Sequence, residues 1–270
     1  MSVGKGKVWL FLGVLLGAAA ARGHEEATFR FLFRPGEASQ HQVQVRGRLR
    51  LVFPQGEEER RLEGRFLYRE TPLRQEKGIW WLQSEVGALV PSSPPTSFLW
   101  SVRMPPTGRE PEFPSLKEQS FRDLAALGGL HLFVETSRIL AFPDEAIQPK
   151  ARWQVELRIG VKNGSIRVQG EAEFKGWVEE EGEKVARFGL SFHGEQRFEE
   201  VQLSPQHTVL LEGDQEGEIE VLFSPQQGRI LQSEGEMKVR WEVRPLLSPQ
   251  KGEPLPQSVM LEMEFLRKRT

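Results

Sequence analysis

The stretch HQVQVRGRLRLVF, residues 41–53, alternates apolar and polar side chains along most of its length. In an extended strand, successive side chains point to opposite faces of the sheet. One face of this stretch carries Val43, Val45, Leu49, Leu51 and Phe53, and the other carries Gln42, Gln44, Arg46, Arg48 and Arg50. The pattern predicts a half-buried β-strand whose arginines face water.

The same period of two recurs further along the chain. It is found in IRVQGEAEFKGWV (166–178), GEMKVRWEV (235–243) and SVMLEMEFL (258–266). Turn-forming stretches such as VKNGS (161–165) and SPQQG (224–228) separate these runs. Long alternating strands with short turns predict a mainly β protein built of curved antiparallel sheets, half-barrel or barrel-like. Glycines inside the strands allow the bending that such sheets need: Gly47, Gly64, Gly170 and Gly176.

One short helix is predicted at about residues 116–127, within PSLKEQSFRDLAALGG. Ser115 is suited to the N-cap, and Glu118 three residues later completes a capping box. Gly128 and Gly129 end the apolar periodicity. We expect this helix to pack against the first set of strands.

The N-terminal stretch MSVGKGKVWLFLGVLLGAAAARGHEE combines two lysines, a short apolar run and a group of small residues. This order is typical of a secretory signal, so residues 1–23 are predicted to be a cleaved signal peptide. The apolar run is short for a membrane span. We therefore expect a periplasmic or secreted protein with no membrane span after cleavage.

The stretch FPDEAIQPKARW, residues 142–153, divides the remaining chain into two similar halves. Pro143 and Pro149 favour extended backbone and cannot donate ladder hydrogen bonds, and Asp144 and Glu145 favour exposure. Period two then resumes at Trp153, which we expect to be buried at the start of a strand in a second sheet. The predicted organisation is a first β-rich half with the helix (24–150) and a second β-rich half (151–270).

Two stretches, PDEAIQPKARW (143–153) and GEIEVLFSPQQGRILQSEGEMKV (217–239), resemble segments of a family of exported bacterial proteins of unknown function. Members of that family have two β-rich halves. They are similar in architecture to the lipoprotein-carrier (LolA/LolB-type) half-barrels. The resemblance implies export and a half-barrel fold, and it supplies no catalytic residues.

Composition and motifs exclude several classes of function. The chain has 270 residues, of which 38% are hydrophobic and 27% charged, as in ordinary soluble globular proteins. It has no cysteine, which excludes disulfides, thiolate metal sites and cysteine nucleophiles. A formal net charge of -2 gives no electrostatic reason to expect nucleic acid as a partner. The zinc-hydrolase, nucleophile-elbow and nucleotide-binding motifs are absent, so neither catalytic residues nor cofactors are predicted.

The favoured prediction is an exported, non-enzymatic protein that binds an apolar ligand, such as a hydrophobic small molecule, or a cell-envelope partner. Aromatic and apolar side chains from the strands and the helix would line an apolar cavity: Trp80, Trp100, Phe121, Leu124 and Trp153. A filled hydrophobic core is the simpler explanation of the same residues. The sequence leaves the oligomeric state open.

The alternative is an enzyme acting on envelope polysaccharide. A carboxylate pair could serve a hydrolase. A copper protein could instead use His24 if cleavage follows Gly23, because an N-terminal histidine offers both its amine and its imidazole. Calcium is a further possibility at GDQEGEIE, where Asp214, Glu216 and Glu218 occupy alternate positions. A hairpin explains that stretch equally well.

Overall fold

The computed structural model describes residues 26–88, 97–114, 140–204, 207–246 and 254–270. In these ranges the chain is almost entirely β, which confirms the mainly β prediction. The strands are β1 Ser39–Phe53, β2 Gly56–Glu76, β3 Ile79–Ala88, β4 Ser97–Met104, β5 Arg152–Val161, β6 Gly164–Glu180, β7 Glu183–Ser204, β8 His207–Ser224, β9 Arg229–Pro245 and β10 Ser258–Arg269. The predicted signal peptide (1–23) and helix (116–127) lie outside the described residues.

Across the described ranges, the strands form a curled antiparallel half-barrel in the order β4-β3-β2-β1-β10-β9-β8-β7-β6-β5. The two predicted halves contribute β1–β4 and β5–β10. They are joined because β10 returns to pair with β1, with Leu49 opposite Leu261. The second half therefore continues the sheet of the first. The expectation that Trp153 begins a strand of a separate second sheet is wrong. The edge strands are β4 and β5, so residues 105–151 lead from one edge of the sheet to the other.

The alternation of β1 sets which face of the sheet is buried. Val43 and Val45 are buried, whereas Arg46 and Arg48 are exposed, as the pattern predicted. Burial weakens toward the β1–β2 turn, where Leu49, Leu51 and Phe53 are half-buried. The reason lies in the hairpin, whose tip carries the exposed residues 56–61 of β2 and extends past the covered part of the sheet. We call the buried side of the sheet the inner face.

Strand glycines sit where neighbouring backbones approach closely. A Cβ atom at Gly47 would lie 2.3 Å from the carbonyl oxygen of Glu262 on β10. A Cβ atom at Gly170 would lie 2.3 Å from the carbonyl oxygen of Ser191 on β7. Because the contacted atom is backbone in each case, a side chain at either position would require the neighbouring strand to shift.

The inner face is covered by two irregular segments. The N-terminal segment (residues 26–38) donates backbone hydrogen bonds from Phe31 to Pro106 (2.7 Å) and from Leu32 to Gly228 (3.0 Å). The crossover segment (residues 140–151) exchanges backbone hydrogen bonds with it between Ala27 and Ile147, at 3.0 and 2.9 Å. The two segments together bridge the β4 edge, the β8–β9 turn and the β5 side of the half-barrel.

Aromatic rings hold these segments to the sheet. Phe29 of the N-terminal segment lies 5.0 Å from Phe188 and 5.1 Å from Phe174, measured between ring centroids. Phe142 of the crossover segment lies 5.0 Å from Phe223. These five side chains are fully buried or nearly so. Edge-to-face pairs of this kind contribute beyond their area burial.

The crossover segment has the irregular backbone that its prolines predicted. Asp144 and Glu145 are exposed, but Phe142 and Ile147 are buried, so the segment packs more closely than its sequence suggested. Trp153 is half-buried, and its indole N–H donates to the carbonyl oxygen of Leu140 at 2.6 Å. It is less buried than predicted because β5 is an edge strand with one neighbouring strand in the sheet.

The packing of Phe29 gives a direct test of this arrangement. The substitution Phe29→Ala should lower the free energy of unfolding by about 3–5 kcal/mol, because it empties a buried aromatic site. The matched control is Leu32→Ala in the same segment, whose side chain is 50% exposed. That change should cost less than about 0.5 kcal/mol. Urea titration of both variants measures the difference, and equal costs would contradict the described packing.

Candidate functional site

The predicted ligand-lining residues occupy different parts of the inner face. Trp80 on β3 lies 5.8 Å from Phe33, and Trp100 on β4 lies 6.1 Å from Tyr68, between ring centroids. Trp153 is on β5 at the opposite edge of the sheet, 6.1 Å from Phe188. Phe121 and Leu124 lie outside the described residues. Trp80 and Trp100 therefore share one side of the half-barrel, Trp153 belongs to the other, and their ligand-binding role stays a prediction.

A group of polar residues on the inner face was not predicted from the sequence. We call it the buried polar cluster, and its members come from five strands: Ser39, His41, Tyr68, Glu70, Ser84, Arg229 and Arg267. Strand register brings them together, because Glu70 lies opposite both Ser39 and Ser84, and His41 lies opposite Tyr68. The sequence did carry a signal. His41 and Arg267 occupy the apolar phase of their strands, in line with Val43 and Phe265 respectively.

Short polar contacts connect the cluster. The guanidinium of Arg267 donates from Nη2 to Nε2 of His41 at 3.1 Å and lies 4.7 Å from the ring centroid of Tyr68. The Tyr68 hydroxyl donates to Oε2 of Glu70 at 3.3 Å and lies 3.2 Å from the Ser84 hydroxyl. Arginine can only donate hydrogen bonds, so Nε2 of His41 accepts this one and carries no proton. The cluster therefore places a permanent cation beside an imidazole, a phenol and a carboxyl group.

Arg229 completes the cluster from the start of β9. Its Nη2 lies 2.9 Å from Oε1 of Glu37, a residue of the N-terminal segment. The Arg229 side chain is 11% exposed, whereas that of Glu37 is 45% exposed. A nearly buried guanidinium is thus capped by a carboxylate that reaches it from the solvent side.

A small cavity lies where the two guanidinium groups and the N-terminal segment meet. Its volume is about 20 Å³, and it is lined by both polar residues (Ser39, His41, Glu70, Arg229 and Arg267) and apolar ones (Phe31, Phe33, Met104 and Ile230). A space of this size holds roughly one water molecule. It is the place where the aromatic inner face meets buried charge.

Burial raises the pKa of Glu70 to about 7, although the guanidinium groups of Arg267 and Arg229 oppose that shift. The carboxyl group is 7% exposed, and desolvation disfavours its charged form more than the two cations favour it. Near neutral pH this carboxyl group is therefore present in both its neutral and its charged form.

The outer face carries the residues considered for calcium and for acid–base chemistry. Asp214, Glu216 and Glu218 lie in the middle of β8 rather than in a loop, with Asp214 opposite Arg240 and Glu216 opposite Lys238. Within the described residues, no three histidine, aspartate or glutamate side chains gather as a metal-binding group. His193 is exposed on β7 and His207 is buried at the start of β8, whereas His24 lies outside the described ranges.

Comparisons with known proteins find similarity in solved structures. No protein-family model and no curated protein matches the chain. A crystal structure from Bacteroides fragilis NCTC 9343, of a protein inferred to be exported and assigned a YmcC-like fold, is similar with 11% sequence identity. The match covers 87% of this chain and 98% of that chain, with a TM-score of 0.31. In the described ranges, no helix is long and apolar enough to span a membrane.

The raised pKa of Glu70 predicts a specific pH dependence of stability. An unfolded carboxyl group titrates near 4.5, whereas folded Glu70 keeps its proton up to about pH 7. The stability contributed by the protonated group is complete below pH 4.5 and is lost as the pH rises to about 7. The loss should amount to about 3 kcal/mol.

Urea titrations across this window test the assignment with two variants. Glu70→Gln stays neutral and should remove most of the decline in unfolding free energy. The control Glu63→Gln, at a side chain that is 74% exposed, should keep the slope of the parent protein. A Glu70→Gln profile parallel to that of the parent protein would rule out a raised pKa at this position.

Proposed function

We propose that this protein is a non-enzymatic binding protein of the cell envelope, and that the inner face of its half-barrel receives an apolar ligand. One observation supports this proposal above others. In the described residues, an aromatic inner face is covered by irregular segments rather than by a second sheet. Such segments are easier to displace than a hydrogen-bonded layer, because few backbone hydrogen bonds hold them.

The N-terminal segment occupies the inner face as an extended apolar ligand could. Phe29, Phe31 and Phe33 alternate along it and place their rings toward the sheet. Burial weakens from Phe29, which is 1% exposed, to Phe33, which is half-buried. An apolar chain entering near Phe33 would bury a similar area and so offset the loss of these contacts. The filled inner face is thus compatible with binding by exchange.

Polar atoms buried on the inner face support the same proposal. The Nε2 atom of Gln215 and the hydroxyl of Ser233 are buried and have no hydrogen-bond partner among the described residues. The Oε1 atom of Gln215 does accept a hydrogen bond from Gln196 at 2.6 Å. Buried donors normally find a partner in protein, water or ligand. These two groups could contact polar atoms of a bound molecule or ordered water.

Export to the envelope is supported by the N-terminal pattern of a basic start, an apolar run and small residues. The periplasm or the extracellular medium is accordingly the proposed location. An exported half-barrel that holds apolar material would shield it from water during transit or storage. That role requires binding and release, and it needs no catalytic group.

A reversible covalent lock tests whether the N-terminal segment must move. The chain has no cysteine, so an engineered pair at Ala27→Cys and Ile147→Cys would join the two covering segments where they exchange backbone hydrogen bonds. The reporter is fluorescence of the neutral apolar dye N-phenyl-1-naphthylamine. We expect dye binding by the parent protein, strong loss of binding in the oxidised pair, and recovery on reduction.

The matched control is a second engineered pair at Arg103→Cys and Glu112→Cys, which form the same type of isolated bridge beside β4. Oxidation of this pair should leave dye binding unchanged. Absence of dye binding by the parent protein would contradict the proposed function. Equal binding by the oxidised and reduced forms of the first pair would contradict entry by displacement of the N-terminal segment.

A further inference from the structure

We propose that, once the N-terminal segment is displaced, Arg229 and Arg267 bind the anionic head group, carboxylate or phosphate, of an amphiphile whose apolar chain lies on the inner face. This inference rests on the proposed function and adds the chemical class of the ligand. The observation behind it is the meeting of two guanidinium groups, from Arg229 and Arg267, with an aromatic wall around one cavity.

The two arginines converge because β9 and β10 are neighbours in the sheet. Arg267 is 3% exposed, and the side chain of Arg229 is 11% exposed. Guanidinium groups do not lose their charge in proteins, so burying them requires anionic or other acceptor partners. Carboxylates and phosphates match the planar donor geometry of guanidinium better than other common anions do.

The present partner of Arg229 belongs to the segment that an apolar ligand would displace. Glu37 follows Phe31 and Phe33 in the N-terminal segment and contacts Arg229 at 2.9 Å. If the segment moves aside and a ligand takes its place, Arg229 is covered again but has lost this carboxylate. A ligand that replaces only the aromatic rings would leave the cation uncompensated. A ligand with both an apolar chain and an anionic head would replace both kinds of contact.

The lining of the cavity likewise combines an apolar part with a cationic part. Phe33, Met104 and Ile230 form the apolar wall, and the guanidinium groups face them together with Ser39 and His41. The Phe33 ring in turn contacts Trp80, so the apolar wall continues onto the inner face. The N-terminal segment thus resembles an intramolecular amphiphile, with its phenylalanines as the chain and Glu37 as the head group.

The test compares ligands that share a twelve-carbon chain and differ in the head group. Dodecanoate, dodecyl phosphate and neutral 1-dodecanol compete with N-phenyl-1-naphthylamine for the parent protein, and inorganic phosphate is the chain-free control. We expect at least one anionic amphiphile to bind about tenfold more tightly than dodecanol, because a charge-assisted hydrogen bond usually strengthens binding by about that factor. The two anionic arms distinguish a carboxylate head group from a phosphate.

Three variants separate this site from general effects on the fold. Arg229→Gln should abolish the preference for the anion over dodecanol, and it should tighten dodecanol binding because a ligand no longer has to break the Arg229–Glu37 ion pair. Glu37→Gln removes the same ion pair, so it should tighten the binding of both the anion and dodecanol, but it should retain the preference for the anion. The control Arg240→Gln, at an exposed position on the same strand β9, should change neither affinity.

The outcomes are distinct. Equal affinity for dodecanol and both anions would overturn the head-group site while leaving the proposed function standing. A preference that persists in Arg229→Gln would also overturn it. Binding of none of the three chains would overturn the proposed function and the head-group site together. Loss of the anion preference in Arg229→Gln, together with its retention in Glu37→Gln, would support the inference.

Discussion

The packing of the N-terminal aromatic side chains on the inner face is the interaction on which the described structure depends. A sheet with one apolar face must bury that face against another layer. Here Phe29 meets Phe174 and Phe188, and Phe31 meets Phe223, at centroid distances between 5.0 and 5.5 Å. The layer is an irregular strand-like segment rather than a helix or a sheet within the described residues. The proposed apolar ligand would therefore compete with this segment for the surface that stabilises the fold.

Much of the fold follows from the alternation of apolar and polar residues along the strands. The alternation at Val43 and Val45 on β1, and at Met237 and Val239 on β9, identifies the buried side of each strand correctly. Alternation does not specify which strands pair, because any alternating strand can present the same face to a neighbour. The pairing of β1 with β10, which joins the two halves, depends on contacts between distant parts of the chain. The stretch FRFLF, residues 29–33, alternates as a strand would, yet the structure places it across the sheet.

The candidate site was harder to predict from the sequence for a related reason. Trp80 and Trp100, which were predicted to line an apolar cavity, are both buried. The buried polar cluster was missed because each of its five strands contributes only one or two of its members. His41 precedes an apolar alternation and Arg267 follows one, and only the register of β1, β2 and β10 brings them near Glu70. Polar residues at apolar positions conflict with the fold locally, and such conflicts tend to mark functional sites.

The buried polar cluster differs from the rest of the surface in how little its charged side chains are exposed to solvent. On the outer face, Arg46 and Glu63 are each 74% exposed, and their contact at 3.7 Å is screened by water and salt. The side chain of Arg229, in contrast, is only 11% exposed. If it stayed covered without its carboxylate, it would be an unpaired charge in a largely desolvated position, where the cost is greatest. Whatever covers the inner face at this point must therefore satisfy this guanidinium as well as the aromatic rings, and the N-terminal segment does both, through Glu37 and its phenylalanines.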